Sequence, residues 1–132
     1  MNKLKFATCI NCIDGRTQEP AIAFLKKYTA VDHVDMITEP GPDKILAQHK
    51  NKPIIASIKK RVQISVEKHH SKMIMIVGHY DCAGNPVNYS EHLKQIRMSA
   101  KKVHQWELKV PILGVWINRK FHVKEVLLIK SY

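Results

Sequence analysis

No apolar run in this sequence approaches the roughly 20 residues that a membrane-spanning helix needs. The stretch from Met1 to Cys9 is basic, but its apolar part is too short for a secretory signal. These two absences argue against a membrane partner and point to the cytoplasm. The sequence also lacks repeats, linkers and low-complexity segments, so 132 residues read as one domain spanning 1–132. Cysteine is scarce and odd in number, at Cys9, Cys12 and Cys82. That argues against a disulfide framework and for free thiols or metal ligation. Acidic residues are few, 11 against 22 Lys and Arg, which gives a formal charge of +11. Such a charge attracts anions, nucleic acid among them. The basic residues are scattered, however, in Lys59-Lys60-Arg61, Lys101-Lys102 and Arg119-Lys120. No nucleic-acid-binding motif is visible, and no basic run interleaves with aromatics. Nucleic acid is therefore not the expected partner.

What is present is an alternation of short apolar runs and helical stripes. Leu4 to Ile10 reads as a first strand, stopped by Gly15. A helix follows from about Glu19-Pro20, with Ile22, Leu25 and Tyr28 at helical spacing. His33 to Thr38 is a second strand, and Glu39 to Asp43 is too rich in proline for regular structure. Lys44 to Asn51 is ambiguous between loop and helical turn. Pro53 opens a long helix with the stripe Ile55, Ile58, Val62 and Val66, ending near His69-His70. Met73 to Gly78 is a run apolar throughout, as in a strand buried on both faces. Ser90 caps a third helix whose stripe is Leu93, Ile96, Ala100 and Val103. Pro111 to Ile117 is a fourth strand, and Phe121 to Ile129 returns antiparallel after a tight Asn118-Arg119-Lys120 connection. The order predicts an α/β fold: a mainly parallel sheet of four strands plus an antiparallel edge strand, flanked by helices.

Two strand ends carry chemistry. The first runs into Cys12, Asp14 and Arg16, and the third into His79 and Cys82. In an open parallel sheet ligands bind at the carboxyl ends of strands, where the strand order switches. If the two strands are neighbours there, Cys12, His79 and Cys82 form a Cys2His set with one open position, a catalytic type of zinc site. Zinc lowers the pKa of a bound water to about 7, so hydroxide is available at neutral pH. Arg16 has a planar donor fork that suits a carboxylate, and it would keep Asp14 ionised and oriented. Asp14 can then accept a hydrogen bond from the zinc-bound water, or swing in and ligate the metal. The first arrangement is an active site and the second a closed one.

Cys12-x-Asp14-x-Arg16 followed by Gly78-His79-x-x-Cys82 resembles the signature of the β-class carbonic anhydrases, and the element order agrees over nearly the whole chain. The resemblance implies Zn2+ on Cys12, His79 and Cys82, with Asp14 and Arg16 as the dyad that controls the open position. It implies reversible hydration of carbon dioxide to bicarbonate, and a homodimer or higher homo-oligomer. Asp81 also matches a common family residue. Several positions depart from the family pattern. Few residues precede Cys12 where members carry a helical arm. Lys3 lies near the place of a substrate-binding Gln. Thr38-Glu39-Pro40-Gly41-Pro42 replaces an Arg-Asn-Ala-Gly-like segment, and Ala83 follows the last Cys. Related branches hydrolyse carbonyl sulfide or carbon disulfide. A non-catalytic or regulatory zinc protein on the same fold is the other alternative.

The remaining candidates have plainer readings. Cys9 and Cys12 make a Cys-x-x-Cys pair, but Asp14-Gly15 interrupts where a redox motif would open a helix. Cys9 is expected to be a small buried strand residue. His69-His70 are expected to be solvated or capping. His33, His49, His92, His104 and His122 lack ligand-like spacing. Trp106 and Trp116 are expected in the core. Tyr80 stands beside the candidate site and could line it.

Overall fold

A computed structural model describes residues 4–131, so Lys3 lies outside the described residues. Its strands form where apolar and β-branched residues run together. They are β1 (Phe6–Cys12), β2 (His33–Glu39), β3 (Ile74–His79), β4 (Ile112–Ile117) and β5 (Val123–Ile129). Every residue of β3 and β4 is buried, as an unbroken apolar run requires of a central strand. The sheet order is β2-β1-β3-β4-β5, parallel except for β5, which pairs antiparallel with β4. The chain thus reverses direction across the sheet between β1 and β3. Ile10 lies opposite Ile76. Both strands end two or three residues later, at Cys12 and His79.

The helices are α1 (Gln18–Thr29), α2 (Pro42–Gln48), α3 (Lys52–Lys68) and α4 (Tyr89–His104), with a 3-10 turn at Gly15–Thr17. One sheet face packs on α1 through Ala21 and Leu25, against Ala7, Cys9, Met75, Val77 and Val115. The other packs on α2, α3 and α4 through Leu46, Ile58, Val62, Ala100 and Val103, against Ile10, Ile74 and Ile76. Ile58 and Val62 are fully buried, and each such side chain contributes about 1.5–3 kcal/mol relative to exposure. The starts of α3 and α4 are capped by side chains. Asn51 Oδ1 accepts from the Ile54 amide at 3.2 Å, and Asn88 Oδ1 from the Glu91 amide at 2.8 Å.

The expected mainly parallel sheet with an antiparallel edge is present, with several local corrections. The proline-rich segment ends in a helix, because Pro42 fits a first-turn position where its missing N–H costs nothing. The cap of α4 is Asn88 rather than Ser90. Its buried face holds His92, Gln95 and Ser99 with Ile96, Ala100 and Val103, and Leu93 is only half-buried. The turn before β5 extends to His122, because Asn118 Oδ1 accepts from the amides of both Lys120 and His122. Phe121 takes a left-handed conformation in that turn. Arg61 does not simply face water, since it is half-buried and paired with Glu39. Tyr28 leaves the apolar stripe of α1, is exposed, and donates its hydroxyl to Glu125 at 2.7 Å.

Candidate metal centre

Cys12 is the last residue of β1 and His79 the last of β3; Cys82 lies three residues further on. Because β1 and β3 are paired neighbours, the three side chains converge. Their ligand atoms all lie within 4.8 Å of one another, and all three residues are buried. Cys12 Sγ and Cys82 Sγ are 3.8 Å apart. Two sulfurs on a tetrahedral zinc with bonds of about 2.3 Å would be separated by about 3.8 Å. His79 Nδ1 donates to the Tyr80 carbonyl at 2.8 Å, which leaves the lone pair on Nε2. Nε2 is buried and has no hydrogen-bond partner. A buried acceptor with no hydrogen-bond partner, facing two sulfurs, is unfavourable by itself and fits a metal cation. The donor set, one imidazole nitrogen and two sulfurs, suits zinc.

The electrostatics agree with that fit. The hydrogen bond from Cys82 pulls the Cys12 thiol well below its usual range, against the cost of burial, and the backbone amides of Gly41 and Asp14 act in the same direction. Cys82 is pushed upward by its bond to Cys12 and by burial, while the Gly84 amide opposes this. Thiolate on Cys12 is thus favoured, and thiolate is the form in which cysteine ligates a metal. Burial disfavours charge on His79, but the adjacent Cys12 sulfur outweighs it and raises the pKa.

Asp14 and Arg16 sit beside this group. Arg16 Nε and Nη2 donate to the two carboxylate oxygens at 3.1 and 2.7 Å, and the Arg16 amide adds a bond of 2.9 Å to Oδ1. This fork holds the Asp14 carboxyl at about 2. Arg16 also reaches the β3 loop, through Nη2 to the Asp81 carbonyl at 3.2 Å and Nη1 to its carboxylate at 3.4 Å. Gln18 Nε2 donates to the carbonyls of Cys12 and Asp14 at 2.8 and 2.9 Å, fixing the backbone between them.

Residues 2–127 match a family model described as "Putative carbonic anhydrase". The chain belongs to that carbonic anhydrase family. Solved structures carry the same fold at low identity. A tetrameric β-carbonic anhydrase from Sordaria macrospora is 13% identical, with a TM-score of 0.50 over 98% of this chain and 84% of that one. A carbonic anhydrase from Glaciozyma antarctica is 12% identical, with a TM-score of 0.57 over 91% and 81%. The β-carbonic anhydrase CafA of Aspergillus fumigatus is 13% identical, with a TM-score of 0.53 over 94% and 76%. No curated protein matches the chain by sequence.

On this carbonic anhydrase fold, a cleft of about 340 Å³ opens beside Cys82, between Tyr80, Val87, Tyr89 and Trp116. Tyr80 lines it and is half exposed. Trp116 is buried, as expected, and packs edge-on against Tyr89 and at a tilt against His92. Trp106 is half-buried against the core. Cys9 is fully buried within the α1 face of the sheet, so the Cys-x-x-Cys reading fails on position. His69 caps α3, bonds Asp35 through Nδ1 at 2.7 Å and stacks on Phe6. His92 is a correction of a different kind. It is buried, and its Nδ1 lies 2.7 Å from the equally buried Asp43. Asp43 and Asn85 belong to the same cluster and were not legible as a group, because their contacts span 42 and 49 residues of chain. The available signal was the polar set His92, Gln95 and Ser99 on the same helix face as Ile96 and Val103.

Proposed function

We propose that this is a zinc-dependent lyase that hydrates carbon dioxide reversibly to bicarbonate, with residues 1–132 acting as one domain. Cys12, His79 and Cys82 would hold the Zn2+. The observation that carries the reading is the buried, unpartnered Nε2 of His79 beside two sulfurs at tetrahedral spacing, in a member of the carbonic anhydrase family. Zinc held there supplies a Lewis acid that makes a water acidic enough to lose its proton near neutral pH.

The chain's own residues do the rest. Asp14 offers an ionised carboxylate as hydrogen-bond acceptor to the reacting water. Arg16 keeps that carboxylate charged and turned toward itself, which supports an open fourth position over a closed one. Arg16 also ties the loop after β1 to the loop after β3, next to Cys82. Gln18 holds the Cys12–Asp14 backbone against slack. The free cysteines suit a reducing compartment such as the cytoplasm. Among the described residues no helix is long and apolar enough to cross a membrane. By family likeness the chain would work as a homodimer or higher homo-oligomer.

The deciding experiment is stopped-flow carbon dioxide hydration on zinc-loaded protein. Hydration that depends on zinc supports the lyase. Protein that binds zinc yet shows no activity anywhere from about pH 6 to 9, a range bracketing the bound-water pKa, would favour a closed, non-catalytic zinc protein.

A further inference from the structure

A second buried cluster stands directly behind the metal centre. Asp43, on the first turn of α2, has its carboxylate enclosed, and three groups donate to it. These are the Asn85 amide at 3.0 Å, the His92 ring at 2.7 Å and the Lys44 backbone N–H at 3.0 Å. Ser99 Oγ donates to the Asp43 carbonyl at 2.8 Å, and Asn85 Nδ2 also donates to Gln95 Oε1 at 2.6 Å. Asp43 and Asn85 are 1% and 0% exposed. A charge that deep persists only when it is fully hydrogen-bonded.

The cluster joins the loop that carries Cys82 to the loop after β2, the strand that pairs with Cys12. Asn85 lies three residues after Cys82, and its amide N–H bonds the Cys82 carbonyl at 3.2 Å. Asp43 lies two residues after Gly41. The two loops touch backbone to backbone. A β-carbon on Gly84 would meet Pro40 at 2.7 Å, and one on Gly41 would meet Asn85 at 2.8 Å. That close approach packs the loop after β2 against the loop that carries Cys82, and the same β2 end pairs with Cys12, where Glu39 lies opposite it and its carbonyl accepts from the Ile13 amide at 3.1 Å.

We propose that Asp43, Asn85 and His92 form a positioning unit for the metal centre, clamping the Gly41 and Gly84 loops together so that Cys12 and Cys82 keep their spacing. The unit touches no reacting atom and acts through the thiolates. This inference rests on the metal reading of Cys12, His79 and Cys82, and deepens it by assigning what holds the two sulfurs at their spacing. Asp43→Asn keeps the shape but removes the charge that draws in the Asn85 and His92 donors. Asn85→Ala removes the clamp between the loops.

The test is metal affinity by chelator competition, together with the spectrum of the cobalt(II)-loaded protein, whose sulfur-to-metal charge-transfer band reports the thiolates directly. Both variants should bind zinc about 10–100-fold more weakly and show a shifted, weakened charge-transfer band. Val62→Ala, a buried deletion under α3 remote from the loops, serves as the control; it should lower the unfolding midpoint and leave affinity and band unchanged. If one variant does not fold, the other carries the test. Wild type that binds zinc with both folded variants matching it in affinity and spectrum would overturn the positioning role and leave the metal reading standing. Val62→Ala weakening zinc as much as the cluster variants would reduce the cluster to general stability. Wild type that binds no metal would overturn both readings.

Discussion

The Asp43 carboxylate occupies the space that a side chain on Gly78 would need. A β-carbon there would lie 2.8 Å from Asp43 Oδ2 and 2.8 Å from Ile96 Cδ1. Gly78 is therefore required by close approach, and its backbone is not in the left-handed region. The absent side chain lets α2 and α4 press onto β3 just before His79, so a packing decision in the sheet also places that candidate ligand.

Gly78→Ala should destabilise the fold by about 1–3 kcal/mol, the usual cost of overpacking, because its neighbours on both sides are buried. Gly15→Ala has nothing within 4 Å of the new carbon and should be nearly neutral. Urea unfolding of the two variants checks this. Equal midpoints would mean that α2 and α4 yield easily around Gly78.

The same region shows what sequence could and could not reveal. The parallel sheet was legible because β3 and β4 are unbroken apolar runs and α3 has a clean stripe at Ile55, Ile58 and Val62. The meeting of Cys12 with His79 and Cys82 was legible because both strand ends carry ligand-type residues, and the topology makes those strands neighbours. Helix α2 was hidden by Pro40 and Pro42, which signal a loop locally, although Pro42 starts the helix. Asp43, Asn85 and His92 were hidden because none has a ligand-like spacing. A buried polar residue on a helix face becomes meaningful only when its partner, here 49 residues away, is known.

Metal content separates the three cysteines. Protein purified without added metal should contain about one zinc per chain, since three suitable ligands converge. Cys12→Ser and Cys82→Ser should lose it, and Cys9→Ser should keep it, because Cys9 is enclosed in the other face of β1. Elemental analysis of each variant gives the answer. Equal loss in all three would point to a Cys-x-x-Cys site instead.

Cys9 also predicts a pH dependence. Burial pushes its thiol above the usual range. The unfolded chain releases this proton above about pH 8.5, the ordinary thiol value, while the folded chain retains it. Over that window the folded state binds more protons, so stability falls as pH rises. The difference in unfolding free energy between wild type and Cys9→Ala should be constant below about pH 8 and shrink above it, at up to about 1.4 kcal/mol per pH unit. Denaturation of both proteins at several pH values measures this. A difference that stays flat to pH 10 would show that the buried thiol ionises freely.

The surface around the strand ends predicts assembly. Ile13, Tyr80, Val87 and Phe121, on loops, and Tyr89, at the start of α4, are exposed large apolar residues near Cys12, Cys82 and Arg16. Grouped apolar exposure of this kind marks an interaction surface, and a second copy of the chain would cover it and deepen the site. Sedimentation should show a dimer or larger assembly at micromolar concentration. A fully active monomer would rule this out.

The last prediction concerns Asp14 and Arg16. Arg16 makes a two-pronged bond to the carboxylate, and its side chain stays about half exposed at the mouth of the site. If the reacting water needs Asp14 as acceptor, the carboxylate must remain where this fork holds it. Arg16→Ala frees Asp14 to fall onto the metal, so the variant should retain zinc yet lose hydration activity on the order of 100-fold, the scale expected for a misplaced group. Arg16→Lys should recover little, because a single ammonium cannot reproduce two parallel bonds. Asp14→Ala leaves the coordination position open but removes the acceptor, and should be slow with zinc bound. The measurement is hydration rate with zinc content determined for each variant. Because Arg16 also bonds the Asp81 carbonyl, Asp81→Ala is the control: it keeps that carbonyl and the Asp14 fork, and its activity should stay near wild type. Wild-type rates in both Arg16→Ala and Asp14→Ala would reduce the dyad to an ion pair that only tethers two loops.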